Sequence, residues 1–149
     1  MLRMIRLPVL LVLIAVSIIS CAQETIVEEY SDLSAAMVSG AAGARGWVPG
    51  FVPASATNLK IAYNIETNEV WLIFEADSKD LTRILMDCPT SKAHLSPLPR
   101  TSPPVSWWPK SLTSTSSEKK GIWNLFMCKS QGAGAIDLAN RKAYYWRLE

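Results

Sequence analysis

Groups that carry out acid–base or metal chemistry are scarce in this sequence. It has one histidine, His94. Together with the distant Cys88 and Cys128 it makes a poor zinc site, because zinc takes four closely spaced ligands. A hydroxyl nucleophile needs a base that a third group orients, and Ser96, two positions after His94, does not supply this arrangement. Glu75 and Asp77 form a carboxylate pair, but Asp77 also suits the cap of a following helix. We therefore expect no metal, no cofactor and no catalytic residues.

Motifs for catalysis and for nucleotide binding are missing as well. The sequence has no G-x-S-x-G elbow, which would expose a nucleophilic serine. The Gly132-Ala133-Gly134 run lacks the following helix that a phosphate-binding loop requires. The protein is therefore expected not to be an enzyme.

A strong charge of either sign is also missing. The chain has 15 Lys and Arg against 13 Asp and Glu, and without Arg3 and Arg6 each count is 13. A net charge of zero argues against nucleic acid as a partner and against electrostatic adhesion to anionic lipid.

The N-terminal segment has the order of a secretory signal. Arg3 and Arg6 form a basic head, residues 7–19 are almost wholly apolar, and the small residue Ser20 precedes Cys21. The apolar run is shorter than the ~20 residues that a membrane-spanning helix needs. We interpret 1–20 as a signal peptide, 21–29 as a tether and 30–149 as a single domain.

The end of this segment, Ile18-Ile19-Ser20-Cys21, resembles the lipobox of bacterial lipoproteins. The resemblance implies that Cys21 receives a diacylglycerol, that the chain is cut just before it, and that the protein is lipid-anchored in the cell envelope. Ala22 stands where an aspartate would favour the inner membrane, which implies the outer membrane, facing the periplasm, if the source is Gram-negative. The alternative is a plain secretory signal in which Cys21 is incidental.

The other two cysteines, Cys88 and Cys128, form an even pair in an oxidising compartment. A disulfide is the default there, and closing a loop of this length stabilises a fold by roughly 3–4 kcal/mol. Two buried thiols or a metal pair are the alternatives.

The apolar periodicity predicts an α+β fold. Alternating residues indicate two hairpins, and Asn68 tolerates the backbone angles of the first turn. Gly132 and Gly134 are expected to interrupt the chain. We expect an antiparallel sheet of about five strands with one main helix packed on it and a short N-terminal helix. In chain order the elements are a helix over 31–39, a hairpin over 59–65 and 70–76, a helix over 78–87, a central strand over 122–128, and a hairpin over 135–139 and 143–148.

Two proline-bearing segments carry the candidate surface residues. Six of the nine prolines lie in 89–121, a Pro/Ser-rich loop that contains Trp107 and Trp108. Phe51 lies between Pro49 and Pro53, and Trp47 lies two residues before Pro49. Tryptophan dominates interface hot spots, so these four aromatic side chains are a candidate partner-binding surface. The alternative is that they cover the core.

The Gly46-Trp47-Val48-Pro49 and Pro53-Ala54-Ser55-Ala56 segments, with Lys142-Ala143-Tyr144-Tyr145-Trp146, resemble a group of small bacterial envelope proteins without a characterised activity. The resemblance implies no functional residues. Together with the lipobox, it favours a membrane-anchored, non-catalytic binding or adaptor module that recognises an envelope protein or glycan. The alternatives are an inhibitor or immunity protein against a toxin or cell-wall hydrolase, and a small enzyme.

Overall fold

The computed structural model describes residues 25–88, 103, 105–113, 123–128 and 132–147. The signal peptide, Cys21, His94 and most of the 89–121 loop lie outside these residues, so the predictions about them stay predictions. Within the described ranges, no helix is both long enough and apolar enough to cross a membrane.

Six strands form one sheet in which every neighbouring pair is antiparallel. They are β1 (Thr25–Asp32), β2 (Thr57–Asn64), β3 (Val70–Glu75), β4 (Asn124–Cys128), β5 (Gly132–Asp137) and β6 (Lys142–Arg147). Their order across the sheet is β1-β2-β3-β6-β5-β4. The helical elements are α1 (Leu33–Val38), α2 (Ser78–Asp87) and a 3₁₀ turn (Lys110–Leu112).

The predicted fold class is wrong, because the described chain is mostly a six-stranded sheet and its first element is a strand. The extra strand is β1, which begins inside the acidic segment interpreted as a tether. Its β-branched and aromatic residues Thr25, Ile26, Val27 and Tyr30 have high strand propensity. Helix α2 contacts the sheet mainly at β4, so it covers one edge rather than the whole sheet.

Helix α1 follows β1 directly and has well-defined ends. Asp32 is the N-cap, and its Oδ1 accepts a hydrogen bond from Ala35 N at 2.8 Å. Gly40, at φ +81°, allows the chain to turn away after the last helical residue. The sequence predicts a helix over 31–39, but residues 31 and 32 belong to β1 and the helix itself has six residues.

Two predictions about the C-terminal half are wrong. The strand expected to be central, β4, lies at the edge of the sheet, because an apolar run alone does not show where a strand pairs. Gly132 and Gly134 belong to β5 instead of interrupting the chain. A Cβ at Gly134 would collide with the Phe126 ring and lie 2.5 Å from Tyr144 O. Glycine is therefore needed inside this strand so that a ring can lie against the backbone.

Both faces of the sheet are covered, although the alternation in β2 predicts one buried face and one mostly wet face. Face A carries the larger cluster and meets α1, α2 and residues 41–56. Face B meets a segment that we call the aromatic strap, residues 105–113. Ala62 and Asn64, expected on the wet face, are buried.

The predicted disulfide is present. Cys88 and Cys128 are joined, with 4.6 Å between their Cα atoms. The bond ties the end of α2 to the edge strand β4, and Met127 N also donates a hydrogen bond to Cys88 O at 3.4 Å. This edge of the sheet is therefore held to the helix by a covalent link and a backbone hydrogen bond.

Candidate functional site

The four candidate surface residues do not lie together. Trp47 and Phe51 pack on face A, whereas Trp107 and Trp108 pack on face B. The sheet separates the two pairs, so they cannot form one continuous binding surface. Each face therefore forms a separate candidate site.

Face B is built from aromatic side chains on the two central strands. Trp71 of β3 lies opposite Trp146 of β6, and Ile73 lies opposite Tyr144. Such cross-strand pairs are the units that stabilise a sheet face. Small buried residues flank the aromatic pairs and leave room for the rings of the strap: Ala62, Ala133 and Ala135.

Trp108 fills that room and is a core residue. Its side chain is 4% exposed, and its ring makes edge-to-face contacts with Tyr144 at 5.9 Å and with Trp146 at 6.1 Å between centroids. Leu112, further along the strap, is fully buried against the same cluster. The structure thus favours the covering interpretation for Trp108.

Trp107 differs from its neighbour because it is only partly buried. It lies 6.1 Å from the Trp108 ring and packs at the border of the face B cluster. Three other partly buried apolar residues also pack at the border of this cluster. One of them, Trp123, contacts Tyr144 with 5.2 Å between ring centroids. We call the four the Trp107 rim: Val105, Trp107, Trp123 and Leu125.

Four indole N–H groups of face B are buried and find no hydrogen-bond partner among the described residues. They belong to Trp71, Trp108, Trp123 and Trp146. An unsatisfied buried donor costs about 1–3 kcal/mol. Ring packing and apolar burial must offset this cost, so face B depends on side-chain contacts.

Face A carries a polar and aromatic group at one end of the sheet. Trp47 stacks on Tyr63 with 4.5 Å between ring centroids and 17° between planes. Arg45 donates to the Tyr63 hydroxyl at 3.3 Å and to Glu28 Oε1 at 3.2 Å. The Tyr30 hydroxyl donates to Glu28 Oε2 at 2.6 Å. These bonds tie β1 to β2 and to the segment after α1.

The titrations in this group follow from its contacts. Burial raises the pKa of Glu28, but hydrogen bonds from Tyr30 and Arg45 outweigh burial and leave that pKa below its ordinary value. Burial, followed by the charge of Glu28, raises the pKa of Tyr63. The carboxylate is therefore charged and the phenol neutral at neutral pH.

Arg147 completes this end of face A. Its Nη2 donates to Asn68 Oδ1 at 2.9 Å and its Nε to Asn68 O at 3.3 Å. Its guanidinium carbon lies 5.9 Å from the centre of the Trp47 ring, within the range of a cation–π contact. Asn68 adopts φ +55°, the left-handed conformation that the sequence predicts for this turn.

Phe51 holds the same segment on the core. Its ring is 5.5 Å from both Phe126 and Tyr145, in edge-to-face geometry. Ser55 Oγ adds a hydrogen bond to Asp80 of α2 at 2.6 Å. The segment around Pro49 and Pro53 therefore covers face A, which is the alternative interpretation that the sequence left open.

Of the two carboxylates considered for catalysis, Glu75 has structural contacts, whereas the Asp77 side chain makes no capping hydrogen bond. Glu75 accepts a hydrogen bond from Asn58 at 3.1 Å and pairs with Lys142 at 3.6 Å, across β3 and β6. Asp77 stands at the N-cap position of α2. Across the described ranges, no three His, Cys, Asp or Glu side chains group together in a way that could hold a metal ion.

Sequence reasoning missed three members of the two sites. Trp123 belongs to the Trp107 rim, Arg45 donates to the Tyr63 hydroxyl, and Arg147 lies over the Trp47 ring. The alternation in β3 and β6 already placed Trp71 and Trp146 on strand faces, and this was the available signal for an aromatic face. Nothing in the sequence showed that residue 147 would lie beside residue 47.

Residues 24–75 match the family model of the YbbD head domain. The match supports a small bacterial protein of the envelope type and a non-catalytic, envelope-associated module. It covers β1 to β3, with Trp47 and Tyr63, and does not reach the Trp107 rim. Neither a curated protein nor a solved structure matches the chain.

Proposed function

We propose that this protein is a non-catalytic binding or adaptor module of the bacterial cell envelope, held to the membrane by a lipid on Cys21, with an envelope protein or glycan as its partner. The match of residues 24–75 supports the envelope setting. The lipobox-like end of the signal segment supports the anchor, and Ala22 supports the outer membrane if the source is Gram-negative.

The Trp107 rim is the observation that carries the binding role. Its four apolar side chains are partly exposed around a buried aromatic cluster, and two of them are tryptophans. Interface hot spots combine well-packed aromatic anchors with surrounding contacts that exclude water. The buried Trp108 ring makes an edge-to-face contact with the Trp107 ring, with 6.1 Å between the centroids, so Trp107 is held in place before a partner arrives. This preorganisation lowers the entropic cost of binding.

A binding comparison with a matched control tests this role. The mature chain, oxidised at Cys88 and Cys128, is immobilised and offered envelope extract, and retained material is identified for the parent, Trp107→Ala and Val38→Ala. Val38 is 89% exposed on α1 and serves as the control for loss of an exposed apolar side chain. We expect one component to be retained by the parent and by Val38→Ala and lost from Trp107→Ala.

The identity of that component decides between the hypotheses. A structural envelope protein or a glycan supports the adaptor, whereas a toxin or hydrolase blocked by the protein makes it an inhibitor. Equal retention by Trp107→Ala and the parent would contradict a binding role for the Trp107 rim.

The anchor is tested separately by metabolic labelling. We expect the parent to incorporate radioactive palmitate and to fractionate with membranes, and Cys21→Ala to do neither. Incorporation that persists in Cys21→Ala would contradict a lipid at this position.

A further inference from the structure

The end of the sheet where β1 begins has features of a membrane-contacting surface. We propose that this end, which we call the Ile65 tip (Ile65, Trp47 and Arg147), docks on the zwitterionic lipid surface to which the chain is anchored. The inference rests on the lipid at Cys21 proposed above. It concerns a different part of the molecule from the Trp107 rim.

Covalent geometry places the tip close to the anchor. Strand β1 begins at Thr25, four residues after Cys21, and an extended chain advances at most ~3.6 Å per residue, or about 14 Å over this distance. Thr25 pairs with Asn64, and Ile65 follows Asn64 at the β2–β3 turn. The turn therefore lies at the end of the sheet that a lipid on Cys21 would hold near the bilayer.

Ile65 is an exposed apolar residue at that turn. It is 64% exposed, although isoleucine is among the residues most often buried. The sheet has a second exposed apolar turn residue at its opposite end, Leu138 in the β5–β6 turn, which is 37% exposed. The two residues allow the two ends of one sheet to be compared directly.

Arg147 and Trp47 supply the polar part of the tip. Within the described chain, the contacts of Arg147 are with the carbonyl and amide oxygens of Asn68 and with the Trp47 ring, all of them neutral. Its positive charge therefore has no acidic side chain of the described residues in ion-pair range. A lipid phosphate is an anion that this guanidinium can bind. Half-buried tryptophan is characteristic of the lipid–water boundary.

The charges beside the tip select the kind of lipid. Glu66 is exposed next to Ile65 and Glu69 ends the same turn, so the turn presents two carboxylates as well as the Arg147 guanidinium. An anionic surface would repel the carboxylates, whereas a zwitterionic headgroup offers a phosphate to the guanidinium and an ammonium to a carboxylate. The apolar side chain adds favourable burial at the boundary. Docking would then fix the orientation of the domain, because the acyl chains already provide the attachment.

Depth measurements on the acylated chain test the inference. The full mature protein, with its acyl groups verified by mass spectrometry, is reconstituted in phosphatidylcholine vesicles that contain a nitroxide-labelled lipid. An environment-sensitive fluorophore is attached through Thr67→Cys in the same turn, which leaves the Glu66 carboxylate in place, or, as the matched reporter, through Leu138→Cys. We expect quenching several-fold stronger at position 67 than at position 138.

Second substitutions separate docking from chance proximity. Adding Ile65→Asp to the chain labelled at position 67 should bring its quenching down to the level at position 138, and adding Leu138→Asp to that same chain should leave it unchanged. An unfolding curve for each variant establishes that it is folded. Replacing Arg147 by Gln should reduce quenching in phosphatidylcholine by a smaller factor.

The outcomes that overturn the inference differ from those that overturn the anchor. Equal quenching at the two positions, or none, in a verified acylated chain overturns docking and leaves the proposed anchor standing. Quenching at position 67 only in vesicles of anionic phosphatidylglycerol overturns the assignment to a zwitterionic surface. A mature chain without lipid at Cys21 overturns both proposals.

Discussion

Face A and face B of the same sheet are closed in different ways. Face A is held by a disulfide, by backbone hydrogen bonds such as Met127 N to Cys88 O at 3.4 Å, and by side-chain hydrogen bonds such as Ser55 to Asp80. Face B is closed largely by ring contacts from Trp108 and by the burial of Leu112. Directional bonds fix the cover of face A, whereas apolar packing fixes the cover of face B and leaves an aromatic rim partly exposed.

The difference between the two faces follows the extent of the family match. Residues 24–75 contain strands β1 to β3 and the segment 41–56 that covers face A. The aromatic strap and Trp123 lie outside the match. The matched part thus supplies three strands of the sheet, and the proposed partner site lies on the part of the chain that the match does not reach.

The largest effect on face A is expected from removal of its covalent link. Replacing both Cys88 and Cys128 by Ser should lower the free energy of unfolding by about 4 kcal/mol, because the disulfide closes a loop of 40 residues. Urea unfolding of the oxidised parent and the double variant measures this difference. A loss below about 1 kcal/mol would show that the link between α2 and β4 contributes little to closing this face.

A smaller loss is expected where a ring lies against the backbone of face A. Gly134→Ala should destabilise the fold by about 1–3 kcal/mol, because the new methyl group would collide with the Phe126 ring. Gly50→Ala is the control, since a Cβ there would meet nothing within 4 Å. Similar unfolding midpoints for Gly134→Ala and Gly50→Ala would contradict the close packing of Phe126 on β5.

The smallest effect is expected from the charge in the polar group of face A. The folded-state pKa of Glu28 is lowered, so its stabilising contribution is complete above pH 4.5 and is lost as the pH falls through the folded-state pKa. Glu28→Gln should therefore lose less stability than the parent when the pH is lowered from 5 to about 3. Unfolding curves across this range measure the two slopes, and identical slopes would contradict the proposed bonds from Tyr30 and Arg45.

Much of the local structure could be predicted from the sequence, because it follows from local patterns. Alternation located the two hairpins, helical spacing located α2, and the even pair of cysteines, for which an oxidising compartment was expected, located the disulfide. Strand β1 was missed because its three acidic residues resemble a solvated tether, although its alternate residues Ile26 and Tyr30 pack on face A. Acidic composition was given more weight than period-two alternation.

The candidate site was predicted only in part, because its geometry depends on long-range packing. The sequence placed Trp107 and Trp108 in a proline-rich loop but could not show that one ring is buried and the other is not. That outcome is set by the space that Ala62, Ala133 and Ala135 leave beside the central aromatic pairs. The joining of Trp47 to Arg147 likewise depends on the pairing of β3 with β6.

The most direct test of the account compares two adjacent tryptophans. If Trp108 closes face B and Trp107 belongs to the exposed rim, Trp108→Ala should lower the free energy of unfolding by about 3–5 kcal/mol, as expected for a core tryptophan. Trp107→Ala should lower it by less than about 1 kcal/mol, in the range of substitutions outside the core. Urea unfolding of the two variants beside the parent is the measurement. Equal losses would contradict the distinction between core and rim on which the proposed function depends.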